Sequence, residues 1–116
     1  MRLLLGALRL YVYRALWYWL GITSAGRALV RALGSPDENI RSIAGILLAK
    51  SGKRAEALLL EALNRRESLP TVLTVLGSIG DPALIPQIRP FTNDPNPEVA
   101  KAAREAIKVI EFSPKT

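Results

Sequence analysis

The chain has no cysteine and no histidine. Without Cys there can be no disulfide framework and no thiolate metal site, and the gap is consistent with a reducing compartment. Without His, the commonest general base, the commonest metal ligand and the ordinary nucleophile–base dyad are all missing. Acid is absent locally: no Asp or Glu precedes Asp37, whereas Arg2, Arg9, Arg14, Arg27 and Arg31 all do. Residues 37–116 then hold eleven Lys or Arg against ten Asp or Glu, so all but one of the net +6 belongs to the N-terminal stretch. A basic chain usually raises nucleic acid as a partner, but here the excess sits among apolar and aromatic side chains. No period-2 alternation flanked by hairpin turns occurs, which argues against strands.

What the sequence does have is apolar helix pattern, repeated. With 49% hydrophobic and 22% charged residues it is globular in composition, and 116 residues suffice for one core. Three stretches align, Gly26–Gly52, Lys53–Gly80 and Asp81–Ile110, with a period of 28–30 residues. Each has an apolar helix pattern, a turn rich in Ser, Asp or Pro, and a second apolar helix. The second helices align as Ile40, Ile43, Ala44, Leu47 with Leu69, Val72, Leu73, Leu76 and with Val99, Ala102, Ala103, Ala106. That is an i, i+3, i+4, i+7 stripe in each.

The punctuation agrees with the period. Ser35-Pro36-Asp37-Glu38 reads as a Ser cap, Pro at the first helical position and Glu three residues after the cap. Asp81-Pro82 and Asn96-Pro97-Glu98 give further cap-then-Pro starts, and Gly34, Gly52 and Gly80 fall where helices should stop. The spacing predicts helices over 2–20, 25–33, 38–50, 54–65, 69–78, 82–91 and 97–111.

Asp94-Pro95-Asn96-Pro97-Glu98-Val99 followed by Ala102-Ala103 resembles the HEAT-repeat family, in particular its short-period phycobilisome-lyase HEAT-like variant. Ile40-Arg41 matches that family's hydrophobic-Arg pair, whereas Leu69-Pro70 and Val99-Ala100 lack the Arg. The resemblance spans about residues 26–110. It implies an all-α solenoid of about three HEAT-type helical hairpins, with an extra apolar helix in front. The expected division is an N-terminal helix at 1–22, a repeat domain at 23–111 and a tail at 112–116. Such repeats serve many unrelated partners. No lyase-specific motif accompanies them, so bilin-lyase activity does not carry over.

The segment Leu3–Ile22 holds five of the seven aromatics, namely Tyr11, Tyr13, Trp17, Tyr18 and Trp19, and is interrupted by Arg9 and Arg14. Its nine Leu, Ile or Val residues favour insertion by about 4 kcal/mol, while two arginines near mid-span cost about 5–6 kcal/mol. A lone bilayer-spanning helix is therefore disfavoured. Lying in the interface suits it better, with rings at the headgroup level and arginines on anionic lipid. Arg2 and Arg9 share a helix face, from which Arg14 projects about 140° away. Other readings are burial between protein surfaces, a cap over the first repeat, and a cleaved targeting segment with Thr23-Ser24-Ala25 as the cleavage site. Membrane or partner contact is expected of Arg9, Tyr11, Tyr13, Arg14, Trp17, Tyr18 and Trp19.

In the HEAT family the second helices line the concave face. Opposite the apolar stripes lie Ser42, Gly45, Ile46 and Ala49, then Thr71, Thr74, Val75 and Ser78, then Lys101, Arg104, Glu105 and Lys108. The first eight are small, uncharged or mildly apolar, and are expected to form a protein-contact strip. A phosphate-binding groove should carry Lys and Arg along its length, and this strip does not. No chemical constellation stands out. Glu56 and Glu61 do not share a helix face, Asp94 reads as a turn or cap residue, and Leu76-Gly77-Ser78-Ile79-Gly80 lacks the Lys of a phosphate loop. Lys53-Arg54 and Arg65-Arg66 read as solvated helix ends.

The expectation is a non-catalytic scaffold or accessory subunit with no cofactor, metal or small-molecule substrate. It would dock on a membrane-associated protein complex from the cytoplasmic side. Other protein subunits are the expected partners, and an anionic membrane surface a further one. The alternatives are a soluble cytoplasmic module that binds nucleic acid, and a chaperone- or lyase-type subunit by family analogy.

Overall fold

The computed structural model describes residues 2–20 and 23–112, with side chains described for 6–17 and 25–112. Among these residues run seven α-helices and no strand. They are α1 (Arg2–Leu20), α2 (Thr23–Ala32), α3 (Glu38–Ser51), α4 (Lys53–Asn64), α5 (Leu69–Ile79), α6 (Ile85–Ile88) and α7 (Pro97–Phe112). The stripes expected of the second helices form much of the core. Leu69, Val72, Leu73 and Leu76 on α5, and Val99, Ala102, Ala103 and Ala106 on α7, are all buried. On α3, Ala44 and Leu47 are buried, with Ile40 and Ile43 packed half-buried against the core.

These stripes set the packing. α3 lies on α5 and α5 on α7, while α2 contacts α3 and α4, and α4 contacts α5. α1 crosses both α2 and α3. The tightest approach is α5 to α7: a Cβ at Gly77 would stand 2.9 Å from the Ala106 Cα and 3.1 Å from its Cβ. Only glycine allows those backbones to meet.

Helix starts depart from the expected pattern in one place. Ser35 does not cap α3; Asp37 does, in an extended conformation, its carboxylate accepting the Asn39 N–H at 2.9 Å. The Ser35 hydroxyl accepts the Asp37 N–H at 3.1 Å, steadying the cap residue from two positions before it. Asp81 and Asn96 behave as expected, accepting the amides of Ala83 and Glu98.

The helix expected over 82–91 is broken. A 3-10 turn at Pro82–Leu84, the single turn α6 and a second 3-10 turn at Arg89–Asn93 replace it. Pro82, Pro86 and Pro90 recur every four residues, so Pro86 and Pro90 each lack the N–H that would reach the carbonyl one turn back. The end of α4 is unusual too. Arg66 takes the left-handed conformation (φ 56°), and Glu67 N–H donates back to the Ala62 carbonyl at 3.0 Å. This closure normally uses Gly. Here Arg66 reaches the Asp94 carboxylate at 2.7 Å and lies over the Phe91 ring, tying the α4–α5 loop to the segment before α7.

Candidate functional site

All eight residues of the expected strip border one open groove between α3 and α5, of about 620 Å³. Glu38, Arg41 and Lys50 border it as well. The sequence-expected exposure fails only at Val75, which is 5% exposed because its side chain packs between the helices. A Cβ added to Gly45 would meet Val75 Cγ2 at 3.4 Å, an ordinary close contact. Two of the four strip hydroxyls are turned back onto α5. Thr74 Oγ1 donates to the Pro70 carbonyl at 2.9 Å and Ser78 Oγ to the Thr74 carbonyl at 3.2 Å. With those donors used within α5, the groove offers an apolar floor, and Ile46 stands 54% exposed above it.

α1 divides its face residues between core and surface. Leu10 and Trp17 are buried, and Tyr13 and Leu16 pack half-buried beside them. Trp17 sits over Gly26, where an added Cβ would come within 2.8 Å of the indole. Trp17 is thus a core residue, while Tyr13 is half-buried and borders a cleft toward α2. Arg14 is likewise half-buried. The opposite side is uncovered, with Leu8 59%, Tyr11 56% and Val12 48% exposed, continued by exposed Ala15. These four stand at i, i+3, i+4 and i+7, one stripe along the helix, and exposed Arg9 borders it. The side chains of Tyr18 and Trp19 lie outside the described residues.

The structure also pairs two carboxylates that sequence reasoning left apart. Glu56, in the first turn of α4, meets Asp81, the cap of the first 3-10 turn. Burial and then the hydrogen-bonding and repulsion of Asp81 push Glu56 above the usual carboxylate range. The Ala83 N–H, helped by Glu56, holds Asp81 below it. Spacing within one helix carries no signal for this pair, since the two residues lie in different elements. Asp94 is a turn residue as expected, and an anchor besides. Arg66 and then the Asn96 N–H hold its carboxyl below the usual range. No group of three or more Asp or Glu side chains able to hold a metal occurs among the described residues. Nor is any helix there long and apolar enough to cross a membrane.

The chain matches no family model, no curated protein and no solved structure. The likeness to HEAT repeats therefore rests on its own residues and helix pattern, without support from a family match.

Proposed function

We propose that this chain is a non-catalytic accessory or scaffold subunit, built of HEAT-like helical hairpins, that docks on a membrane-associated protein assembly from its cytoplasmic side. The row α3–α5–α7, with α2 and α4 packed against each other beside it, is the stacking expected of a short α-solenoid and supports that architecture. The observation that carries the functional reading is the stripe of Leu8, Tyr11, Val12 and Ala15. α1 is fixed by its opposite face, and an apolar stripe held this way toward water is costly unless something covers it. The local excess of arginine suits an anionic lipid surface. The groove between α3 and α5 distinguishes a scaffold from a bare lipid anchor, because its small-residue floor admits a partner helix closely. A nucleic-acid groove would be lined with Lys and Arg, and only Arg41 and Lys50 border this one.

Fractionation of cells making the full chain tests the reading. The wild type should sediment with membranes, and Leu8→Glu with Val12→Glu should move it to the soluble fraction without lowering its melting temperature. A photo-crosslinker at Ile46 should give one discrete protein adduct that Gly45→Leu abolishes. A wild type wholly in the soluble fraction, with no adduct, contradicts the proposal.

A further inference from the structure

A second cavity, of about 410 Å³, lies between α1, α2 and the start of α3. Its polar lining is Arg9, Tyr13, Arg31 and Ser35, and no carboxylate borders it. Neither Arg9 nor Arg31 takes part in an ion pair among the described residues. Arg27, one turn before Arg31 on α2, differs from them in that its guanidinium is held by Glu61 of α4. Glu61 and Glu67 share a smaller cleft with Arg31, and Glu61 is occupied by Arg27 and Arg65.

The loop beneath the cavity adds donors. Ser35 Oγ accepts the Asp37 N–H, so its own O–H remains for an acceptor. Arg41, which borders the α3–α5 groove and not this cavity, donates to the Ser35 carbonyl oxygen at 2.6 Å and so holds the loop in place. The last carbonyls of α2 do not confront the cavity bare. Those of Val30, Arg31 and Ala32 accept the amides of Leu33, Gly34 and Ser35. The rest of the wall, including Leu10, Ala32 and Ile40, is apolar.

We infer that this cavity binds a phosphate ester: an oxyanion between Arg9 and Arg31, with Ser35 and Tyr13 donating to it and a short carbon chain on the apolar wall. Guanidinium is the side-chain group best matched to phosphate oxygens. The site goes beyond the scaffold reading and does not depend on it. Its source is either a free organic phosphate or the headgroup of an anionic lipid, since Arg9 also borders the outward stripe of α1.

The test uses the full chain at constant ionic strength. Glycerol 3-phosphate is titrated while the amide of Ser35 and the Nε–H groups of Arg9 and Arg31 are followed by NMR. Saturable shifts should concentrate there. Arg31→Gln should weaken binding about tenfold, the loss expected when one charged hydrogen-bond donor is removed. Lys108→Gln, the same charge change on α7, should alter binding less than about twofold, because a distant exposed charge is screened. If Arg31→Gln fails to fold, the wild-type shift map decides. Shifts spread over all basic residues without saturation, or equal weakening by Lys108→Gln, overturn the site. Vesicles of phosphatidylcholine with phosphatidic acid form the second arm. Displacement from them by glycerol 3-phosphate identifies the lipid headgroup as the source, and vesicle binding untouched by it identifies a free ester.

Discussion

At the scale of single residues, Arg66 and Glu56 show how a locally unfavourable choice is kept for a contact elsewhere. Arg66 occupies a left-handed position where glycine is the easy residue, and its guanidinium holds Asp94. Arg66→Ala loses the anchor and keeps the backbone strain, whereas Arg66→Gly loses only the anchor. Alanine should therefore be the less stable variant by about 1 kcal/mol, measured by urea unfolding. Equal stabilities would mean that the loop relaxes out of the left-handed conformation. Glu56 carries the opposite kind of cost. Its pKa is raised in the folded protein, so the penalty on its charged form is present above the folded value and is relieved as pH falls through it. Glu56→Gln should melt higher than the wild type at pH 7, and the difference should shrink as pH falls toward the ordinary Glu value of about 4.3. Asp81 and Asp94, whose pKa values are lowered, act in reverse. Their stabilisation is full above the ordinary Asp value of about 3.9 and is lost as pH falls through their lower folded values. Neither residue's partner was legible in the sequence, because each contact joins residues of different elements far apart along the chain.

At the scale of elements, the long helices were legible and their joints were not. Periodicity located the buried stripes of α5 and α7 residue by residue, since an apolar stripe at 3.6-residue spacing marks a face that seeks cover. The break at 82–91 was also written in the sequence, in three prolines one turn apart. The apolar pattern alone points to one helix, but the missing N–H groups decide. Glycine placement could not be read without neighbours. Gly77 meets the backbone of α7, so Gly77→Ala should force α7 outward and cost about 1–3 kcal/mol, as overpacking does. Gly45→Ala meets only the end of Val75 at ordinary distance, and the gain in helix propensity should leave it neutral or stabler by up to about 1 kcal/mol. Thermal melts of the two variants check the order. A tolerated Gly77→Ala would mean that α5 and α7 are not in backbone contact.

At the scale of the whole molecule, the helices pack within extents of 39 × 31 × 24 Å, and two surfaces remain whose chemistry asks for cover. Spacing put the strip residues of each helix on one face, and the HEAT resemblance, not spacing, turned those faces toward one groove. The split of α1 was not legible. Its sequence is apolar on most of its circumference, so it does not say which aromatics turn inward; the space over Gly26 selects Trp17 for the core and leaves Tyr11 outside. That division gives the most direct test of docking through α1. Two single-tryptophan proteins are compared in the presence of anionic vesicles carrying brominated lipid. One retains Trp17 with Trp19→Phe, and the other carries Tyr11→Trp with both native tryptophans changed to Phe. Docking through the outward stripe predicts strong quenching at position 11 and none at Trp17. Quenching at Trp17 but not at position 11, or no quenching at either, would contradict it.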